Sequence, residues 1–309
     1  MIGTITLNPC VDKTLVIDGF TYGGMNRVSN KRADISGKGI NVSIVLTQMD
    51  IPVKTLGINY NDGSQVLMEE LKKVGIKYEA IMVEGVLREN VKVMDTQTCI
   101  TTELNQKGDF VDVDKLKQFE KLLDSYLKKL DILVVTGSVP QGVESDYYLK
   151  LVEKANAKGV KVILDAEGEF LLKGIEGNPY LIKPNLYEFE TAFGLQGNDI
   201  KDVLKICRNI IDKGVSVVCV SMGSEGALIA NREEAYISRP TKLNIKSTQG
   251  AGDSLVAGIC MAIEEGLSIS EMLCYGVATA QGSLIHEGTQ LCTKKDFEYY
   301  REMVKVEKV

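Results

Sequence analysis

Residues 248–254 have the types and spacing of an anion-binding turn beside a carboxylate base. The segment reads TQGAGDS, and the apolar stretch LVAGICMAIEEG that follows favours a helix. Gly250 and Gly252, with Ala251 between them, let backbone N–H groups converge on an anion at the positive end of that helix. Asp253 would then stand next to the anion as a proton acceptor, which suits phosphoryl transfer to a hydroxyl group. The alternative is a glycine turn in which Asp253 only caps the helix.

A second glycine-containing segment, SGKGINV at residues 36–42, opens a predicted helix over 39–49. Gly37 and Gly39 allow a ligand to approach the backbone, Lys38 offers a positive charge, and Asn41 offers donors and an acceptor. A plain turn would look similar. The chain has no GxxxxGK[ST] motif, and Leu255 replaces the third glycine of a dinucleotide fingerprint, so both of those nucleotide sites are excluded.

Two cationic residues and an amide alternate along a predicted strand within residues 87–105. Arg88, Asn90 and Lys92 are two apart, so a strand would place them on one face. Two cations and an amide on one face suit a sugar phosphate, and Arg27 on another predicted hairpin could join them. A solvated edge strand is the alternative.

The segment KPNLYE at residues 183–188 allows two interpretations. Asn185 and Glu188 have the spacing of a helix capping box. Alternatively, Glu188 could hold Mg²⁺ through water, with Lys183 and Asn185 near phosphate groups.

Two further patterns could serve a nucleotide. SMGSEG at residues 221–226 is a strand that ends in a glycine turn, where open α/β sheets bind ligands, although an ordinary hairpin turn fits as well. On a predicted helix over 270–286, Gly276, Ala280 and Ser283 share one face, against which an adenine or another helix could lie.

The elements that must position these residues follow an α/β pattern. From about residue 130, apolar β-branched runs alternate with amphipathic stretches, which indicates a parallel sheet covered by helices on both faces. The predicted strands here cover 132–137, 161–165 and 215–221, and the predicted helices lie near 145–157 and 199–212. The N-terminal ITL and VKTLGI runs, with helices near 39–49 and 64–74, extend the same sheet, and helices near 254–265, 270–286 and 294–305 end the chain.

Two discontinuous segments, near 12–34 and 87–105, are predicted to form strand–turn–strand units without helices. We interpret them as a small β appendage to one α/β domain that spans residues 1–309, since no linker or repeat marks a boundary.

Composition excludes several classes of function. The 309 residues carry 36 Lys and Arg against 42 Asp and Glu, and this net charge of −6 argues against a nucleic-acid or anionic membrane partner. The seven cysteines are odd in number and lack CxxC pairs, which is typical of reduced thiols in a cytoplasm. No signal segment or long apolar run is evident, so a cytoplasmic protein is expected. With His286 as the single histidine, acid–base chemistry is expected from carboxylates.

Together, the motifs resemble the ribokinase-like sugar kinases of the phosphofructokinase-B family over almost the full chain. The resemblance is carried by TLNPCVD (6–12), GKGINV (37–42), Arg88, TGSVP (136–140), KPNLYE (183–188), SMGSEGA (221–227) and GAGDS (250–254). The TLNP opening with GKGxNV looks like the branch that acts on phosphorylated ketohexoses, namely 1-phosphofructokinase and tagatose-6-phosphate kinase.

The resemblance implies an ATP- and Mg²⁺-dependent kinase in which Asp253 is the base and Gly250, Ala251 and Gly252 form the anion hole. The sugar phosphate would be bound by Asp12, Arg27, Gly37, Lys38, Gly39, Asn41, Arg88, Asn90 and Ser138. ATP would contact Lys183, Asn185, Glu188, Ser221, Gly223, Ser224, Glu225, Gly226, Gly252, Ala280 and Ser283, with Glu188 near the metal through water. The β appendage would be a lid over the site. In relatives this lid also pairs two subunits, which implies a homodimer.

Within this branch, the run from Arg88 to Lys92 is similar to the RxNxK pattern of 1-phosphofructokinases, which favours fructose 1-phosphate as acceptor. Tagatose 6-phosphate is an alternative, and a non-catalytic sugar-phosphate sensor is an alternative of another class. The chain departs from the family pattern at Ser36, at residues 57–62, and at Gln249, which stands where relatives have an apolar or small residue.

Overall fold

The computed structural model describes residues 1–194, 199–239, 241–288 and 290–309. Its strands are β1 (Ile2–Thr6), β2 (Cys10–Ile17), β3 (Val28–Ser36), β4 (Val53–Asp62), β5 (Tyr78–Val86), β6 (Arg88–Asp95), β7 (Thr101–Leu104), β8 (Ile132–Thr136), β9 (Lys161–Asp165), β10 (Leu181–Ile182), β11 (Val217–Ser221), β12 (Ala227–Ala230), β13 (Ala235–Ser238) and β14 (Val306–Lys308). Its helices are α1 (Lys38–Gln48), α2 (Ser64–Lys73), α3 (Val113–Leu127), α4 (Tyr147–Asn156), α5 (Gly168–Glu176), α6 (Leu186–Phe193), α7 (Ile200–Asp212), α8 (Ala251–Glu264), α9 (Ile269–Leu284) and α10 (Lys294–Met303).

The main sheet has ten strands in the order β14-β13-β12-β11-β10-β9-β8-β1-β4-β5. From β11 to β5 all neighbours are parallel, as the continuous apolar runs predict. Strands β12, β13 and β14 add an antiparallel edge, because short turns connect β11 to β12 and β12 to β13. The predicted α/β class is therefore confirmed, and the antiparallel edge extends it. No helix among the described residues is long and apolar enough to cross a membrane.

The second sheet, which we call the lid, has four strands in the order β3-β2-β6-β7. The predicted strand–turn–strand segments form it, and β2 pairs in parallel with β6 although the two are far apart in sequence. Their register places Cys10 opposite Arg88 and Asp12 opposite Asn90. Because side chains alternate along a strand, this pairing gathers Asp12, Arg88 and Asn90 on one face.

Helix α8 packs closely against helix α9, and this contact positions the start of α8 relative to the sheet. Ten of its residues from Ser254 onward are buried, and Gly258 is at the closest contact: a methyl group there would lie 2.4 Å from the carbonyl oxygen of Tyr275. Gly258 is thus required by the approach of two helices and not by its own backbone conformation.

Replacing Gly258 by alanine tests this packing. Alanine normally stabilises a helix by about 1 kcal/mol relative to glycine, but we expect Gly258→Ala to lower the free energy of unfolding by about 1–3 kcal/mol because of the clash. Gly252→Ala in the same helix is the matched control, since its methyl group would meet only Lys183 Nζ at 3.6 Å. Denaturant unfolding would contradict the packing argument if Gly258→Ala were as stable as the control.

Candidate active site

A cavity of about 570 Å³ lies between the lid and the body, by which we mean the main sheet with its helices. The lid contributes Asp12, Arg88, Asn90 and Lys92 to its wall. The body contributes Gly37, Lys38, Asn41, Ser138, Gly250 and Asp253, among others. Several of these residues follow the carboxyl ends of parallel strands, the usual position of ligand sites in such sheets.

The floor of the cavity is the start of helix α8. Gly250 is its N-cap, with φ of 72°, a left-handed conformation that glycine adopts without strain. The N–H groups of the first helical turn have no intrahelical acceptor and carry the positive end of the helix dipole. Gly252 leaves the approach to these groups open, since a methyl group at this residue would have Lys183 Nζ as its nearest neighbour. The turn is therefore suited to an anion.

Asp253 lies in that first turn and is 6% exposed. No side chain caps the helix, so the capping alternative for Asp253 is wrong. Its carboxylate instead accepts a hydrogen bond of 2.7 Å from Asn41 Nδ2. Burial raises the pKa of Asp253 to about 6, and the charge of Lys38 and the bond from Asn41 limit the rise. A carboxylate with a pKa near neutrality is suited to general base catalysis.

Three buried acceptors on the cavity wall receive no hydrogen bond from the described residues. They are Thr6 Oγ1, Asn8 Oδ1 and Asn41 Oδ1. Buried polar atoms are seldom left unpaired, and these could accept hydrogen bonds from the hydroxyl groups of a ligand. The sequence motifs indicated a role for Asn41 but none for Thr6 or Asn8, although both belong to the TLNP run.

Two lysines share one buried carboxylate beside Asp253. Lys38 Nζ and Lys183 Nζ lie 3.4 Å and 3.3 Å from the same oxygen of Asp165, whose other oxygen accepts from Thr136 Oγ1 at 3.1 Å. The two lysines hold the pKa of Asp165 below its usual value despite complete burial. The two lysines exceed Asp165 by one positive charge, which ionised Asp253 beside them balances.

Asp165 was not among the site residues predicted from the sequence. The signal for it was available, because the residue ends the apolar strand VKVILD and so stands at the carboxyl edge of the sheet. Its two lysine partners, however, lie far away along the chain.

Arg88 is fixed at the opposite wall by neutral acceptors. Its guanidinium donates to the carbonyl oxygens of Asn8 and Gln106, to Asn90 Oδ1 and to Ser138 Oγ. No carboxylate of the described residues lies within salt-bridge distance of it, so its charge is held in place and remains available to a phosphate.

Asp12 is buried on the lid face of the cavity. Its carboxylate accepts from Asn90 Nδ2 at 2.8 Å and from Gln249 Nε2, and it lies 3.7 Å from Lys92 Nζ. Gly39 lies against the end of β1, where a methyl group would be 2.2 Å from the carbonyl oxygen of Ile5. Only glycine allows α1, with Lys38 and Asn41, to begin so close to the sheet.

Most of the residues predicted to contact ATP follow strands β10 and β11, next to the two lysines that share Asp165. Lys183 follows β10, and Asn185 makes a backbone bridge with Ser221 at the end of β11. A short 3₁₀ turn, Gly223–Glu225, comes next and contains Ser224, and Gly226 packs so that a methyl group would be 2.0 Å from the carbonyl oxygen of Ser238.

Asn185 and Glu188 form the capping box that their spacing predicts. One carboxylate oxygen of Glu188 accepts from the Asn185 N–H at 2.8 Å, and burial raises the pKa of Glu188. In the described ranges, no group of three or more His, Cys, Asp or Glu residues is arranged to hold a metal ion by itself. Mg²⁺ is often held in proteins by one carboxylate together with the phosphates of a nucleotide. The residues present fit Mg²⁺ bound in that way.

Some of the predicted residues do not line the cavity: Arg27, Gly39, Ala251, Gly252 and all the residues assigned to ATP. Arg27 is exposed in the turn between β2 and β3, at the end of the hairpin remote from Cys10. Ser283 is buried, with its hydroxyl paired to Ser254 and accepting from the N–H of Cys292. Ala280 is half-buried against the core on the same helix. The small-residue face of α9 is explained by helix packing at Gly276 and Ser283.

The model of the pfkB family of carbohydrate kinases matches residues 5–296. The chain belongs to this family. Its parallel core sheet and separate small sheet are those of the ribokinase-like α/β fold that the sequence resemblance implied, and the family assignment confirms that resemblance.

Individual relatives extend over nearly the whole chain. A 1-phosphofructokinase of Bacillus subtilis is 33% identical over 287 residues, which cover 93% of each chain. A tagatose-6-phosphate kinase of Staphylococcus epidermidis is 30% identical over 276 residues, 88% of each chain. The crystal structure of a possible 1-phosphofructokinase from Thermotoga maritima is 28% identical with a TM-score of 0.90, over 100% of this chain and 99% of the other.

The raised pKa of Asp253 has a consequence for stability. In the unfolded chain this group ionises near pH 4, whereas in the folded protein it ionises near pH 6, so keeping it charged at pH 7 destabilises the fold. We expect Asp253→Asn to raise the free energy of unfolding by roughly 1–3 kcal/mol at pH 7, and to have little effect at pH 4, where the folded carboxyl is protonated. Denaturant unfolding at both pH values measures the difference; equal effects would contradict it.

Proposed function

We propose that this protein transfers the γ-phosphoryl group of ATP to the 6-hydroxyl of fructose 1-phosphate and so forms fructose 1,6-bisphosphate. The observation that carries the proposal is the buried carboxylate of Asp253, with a pKa near neutrality, at an open helix start between two sets of cations. The names of the relatives support a phosphorylated ketohexose as the acceptor.

Asp253 acts as the general base in this mechanism. It accepts the proton of the acceptor hydroxyl as the oxygen attacks the γ-phosphorus, and the hydrogen bond from Asn41 keeps its carboxylate oriented. The N–H groups of Gly250, Ala251 and Gly252 stabilise the negative charge on the transferred group.

The phosphate already on the sugar is held by cations at the cavity wall. Arg88, with Ser138 beside it, forms one contact, and Lys38 forms another on the side of Asp253. The sugar hydroxyls are held by Asp12, by Asn90 on the adjacent strand and by the free acceptor of Asn41. A ligand bound between these groups has its reacting hydroxyl close to Asp253.

ATP lies along the carboxyl ends of β10 and β11. Ser221 and the turn up to Gly226 receive the nucleoside, and Lys183 and Asn185 lie at its phosphates. Mg²⁺, when bound with the nucleotide, neutralises charge on the β- and γ-phosphates. Glu188 would hold it through water with the carboxylate oxygen that does not cap helix α6. The lid excludes water, which would otherwise hydrolyse ATP.

A coupled assay of ADP formation tests the proposed substrate. We expect kcat/KM to be highest for fructose 1-phosphate when it is compared with tagatose 6-phosphate and fructose 6-phosphate. A preference for tagatose 6-phosphate would select the second candidate, which the relative from Staphylococcus epidermidis favours. Calorimetric binding of a sugar phosphate without any ATP consumption would reject the kinase in favour of a sensor.

The role of Asp253 gives a kinetic prediction. Asp253→Asn should retain sugar-phosphate and ATP binding but lose turnover by a factor of about 10² to 10⁴, because the base is removed. In the wild type, kcat/KM should fall tenfold per pH unit below about pH 6, where the carboxylate becomes protonated. Asp296→Asn, remote from the cavity, is a control for the loss of a partly buried carboxylate. Near-normal turnover of Asp253→Asn would reject the assignment.

The lid is also proposed to form a homodimer interface. It exposes several large apolar side chains, including Tyr22 at 96% and Met25 at 83% of their surface, together with Phe20, Ile100 and Leu104. Arg27, which lies next to these residues in sequence, would then be placed near the subunit boundary.

Light scattering at micromolar concentration should give twice the chain mass of 33.9 kDa. Tyr22→Asp combined with Met25→Asp should reduce the mass to that of a monomer, because charges would be buried at the interface. Tyr299→Asp, at another exposed aromatic residue, is the control. A monomeric wild type would contradict the dimer.

A further inference from the structure

Gln249 joins the lid to the turn that begins helix α8. Its Nε2 donates a hydrogen bond to Asp12 Oδ2 on β2, and its backbone directly precedes Gly250. Its own N–H is fixed by Ser247 Oγ at 3.1 Å. One side chain therefore spans from the proposed anion hole to the carboxylate that faces the sugar.

The other groups around Asp12 all belong to the lid. Asn90 Nδ2 and Cys10 Sγ contact Oδ1, and Lys92 Nζ lies 3.7 Å from Oδ2. These residues stand on β2 and β6, so they move with Asp12 if the lid moves. Among the described side chains that contact Asp12, Gln249 alone comes from the body.

The chemistry fixes the orientation of the Gln249 amide. The carboxylate oxygen of Asp12 is the acceptor, so the amide presents its NH₂ group to Asp12 and its oxygen elsewhere. Gln249 lines the cavity, and no described side chain donates to its Oε1. The amide oxygen is thus available to a hydroxyl group of the ligand.

We propose that Gln249 is a positioning residue for the sugar, which orients Asp12 toward the sugar hydroxyls and couples the lid to the Gly250 turn. The inference rests on the proposed function, because it takes Asp12 as a sugar-binding group. It predicts that Gln249 affects the acceptor and not the nucleotide, since Lys183, Asn185 and Ser221 do not line the cavity that Gln249 and Asp12 line.

Gln249→Leu removes the amide at similar side-chain size. We expect the KM for fructose 1-phosphate to rise about tenfold or more, as is typical for the loss of a hydrogen bond to a charged group, while the KM for ATP stays within about twofold. Hydrolysis of ATP without acceptor should rise because the lid is less firmly held. Gln290→Leu, an exposed glutamine outside the cavity, is the matched control.

Gln249→Glu provides a second test that a merely structural role would not satisfy. The introduced carboxylate would face that of Asp12 at pH 8 and repel it, whereas its protonated form could donate to Asp12 again. At pH 8 we therefore expect Gln249→Glu to bind fructose 1-phosphate with a larger Kd than Gln249→Leu, as measured by calorimetry without ATP. Between pH 8 and pH 5.5, the ratio of the Kd of Gln249→Glu to the Kd of the wild type should fall by at least about fivefold.

The wild type must be measured at every pH, because Asp253 lies in the same cavity and its pKa of about 6 falls within the tested range. The other charged or ionisable groups at Asp12 are Cys10 and Lys92 within the lid and Asp34, which lies opposite it on β3. Burial raises the pKa of the Cys10 thiol to about 12, so it stays protonated over this range.

The possible outcomes separate the two proposals. Equal KM values for Gln249→Leu and wild type, parallel changes in both KM values, or no pH-dependent recovery of Gln249→Glu would overturn the role of Gln249. A wild type that binds but phosphorylates no sugar phosphate would overturn the proposed function, and the calorimetric comparison would still decide whether Gln249 orders the sugar site.

Discussion

The site depends on keeping a carboxylate charged where water is largely excluded. Burial raises the pKa of Asp253, and the nearby cations and the Asn41 amide limit the rise to about 6. The balance leaves the group ionised at pH 7 but basic enough to accept a proton. In the proposed mechanism, the position of Lys38, shared with Asp165 and Lys183, therefore matters for catalysis as well as for ligand binding.

The fold meets this condition by bringing distant segments to one edge. Asp165 and Lys183 come from the carboxyl ends of neighbouring parallel strands, and Lys38 comes from a helix that can begin against β1 because residue 39 is glycine. The lid supplies the opposite wall, where the pairing of β2 with β6 aligns Asp12 with Asn90 and leaves Arg88 without a carboxylate partner among the described residues. The cavity is thus a product of topology more than of any one motif.

The sequence predicted those parts of the molecule in which local pattern and chemistry coincide. The turn at residues 250–254, the strands of the lid and the parallel core sheet all have local signals, and the structure contains each of them. The sequence could not indicate that Asp165 joins two lysines, or that Thr6 and Asn8 present free acceptors, because these relations exist only after the strands have assembled. The face of α9 shows the converse, since a small-residue pattern suited to a ligand is used for helix packing at Gly276 and Ser283.

The lid pairing has a consequence for the order of folding. The hairpin of β2 and β3 is local and can form early, but its partner β6 follows only after α1, β4, α2 and β5. Closing so long a loop costs chain entropy before any contact compensates for it, so the lid sheet should be completed late, once the body is compact. During synthesis on the ribosome, the strand that carries Asp12 therefore emerges well before the strand that completes its surroundings.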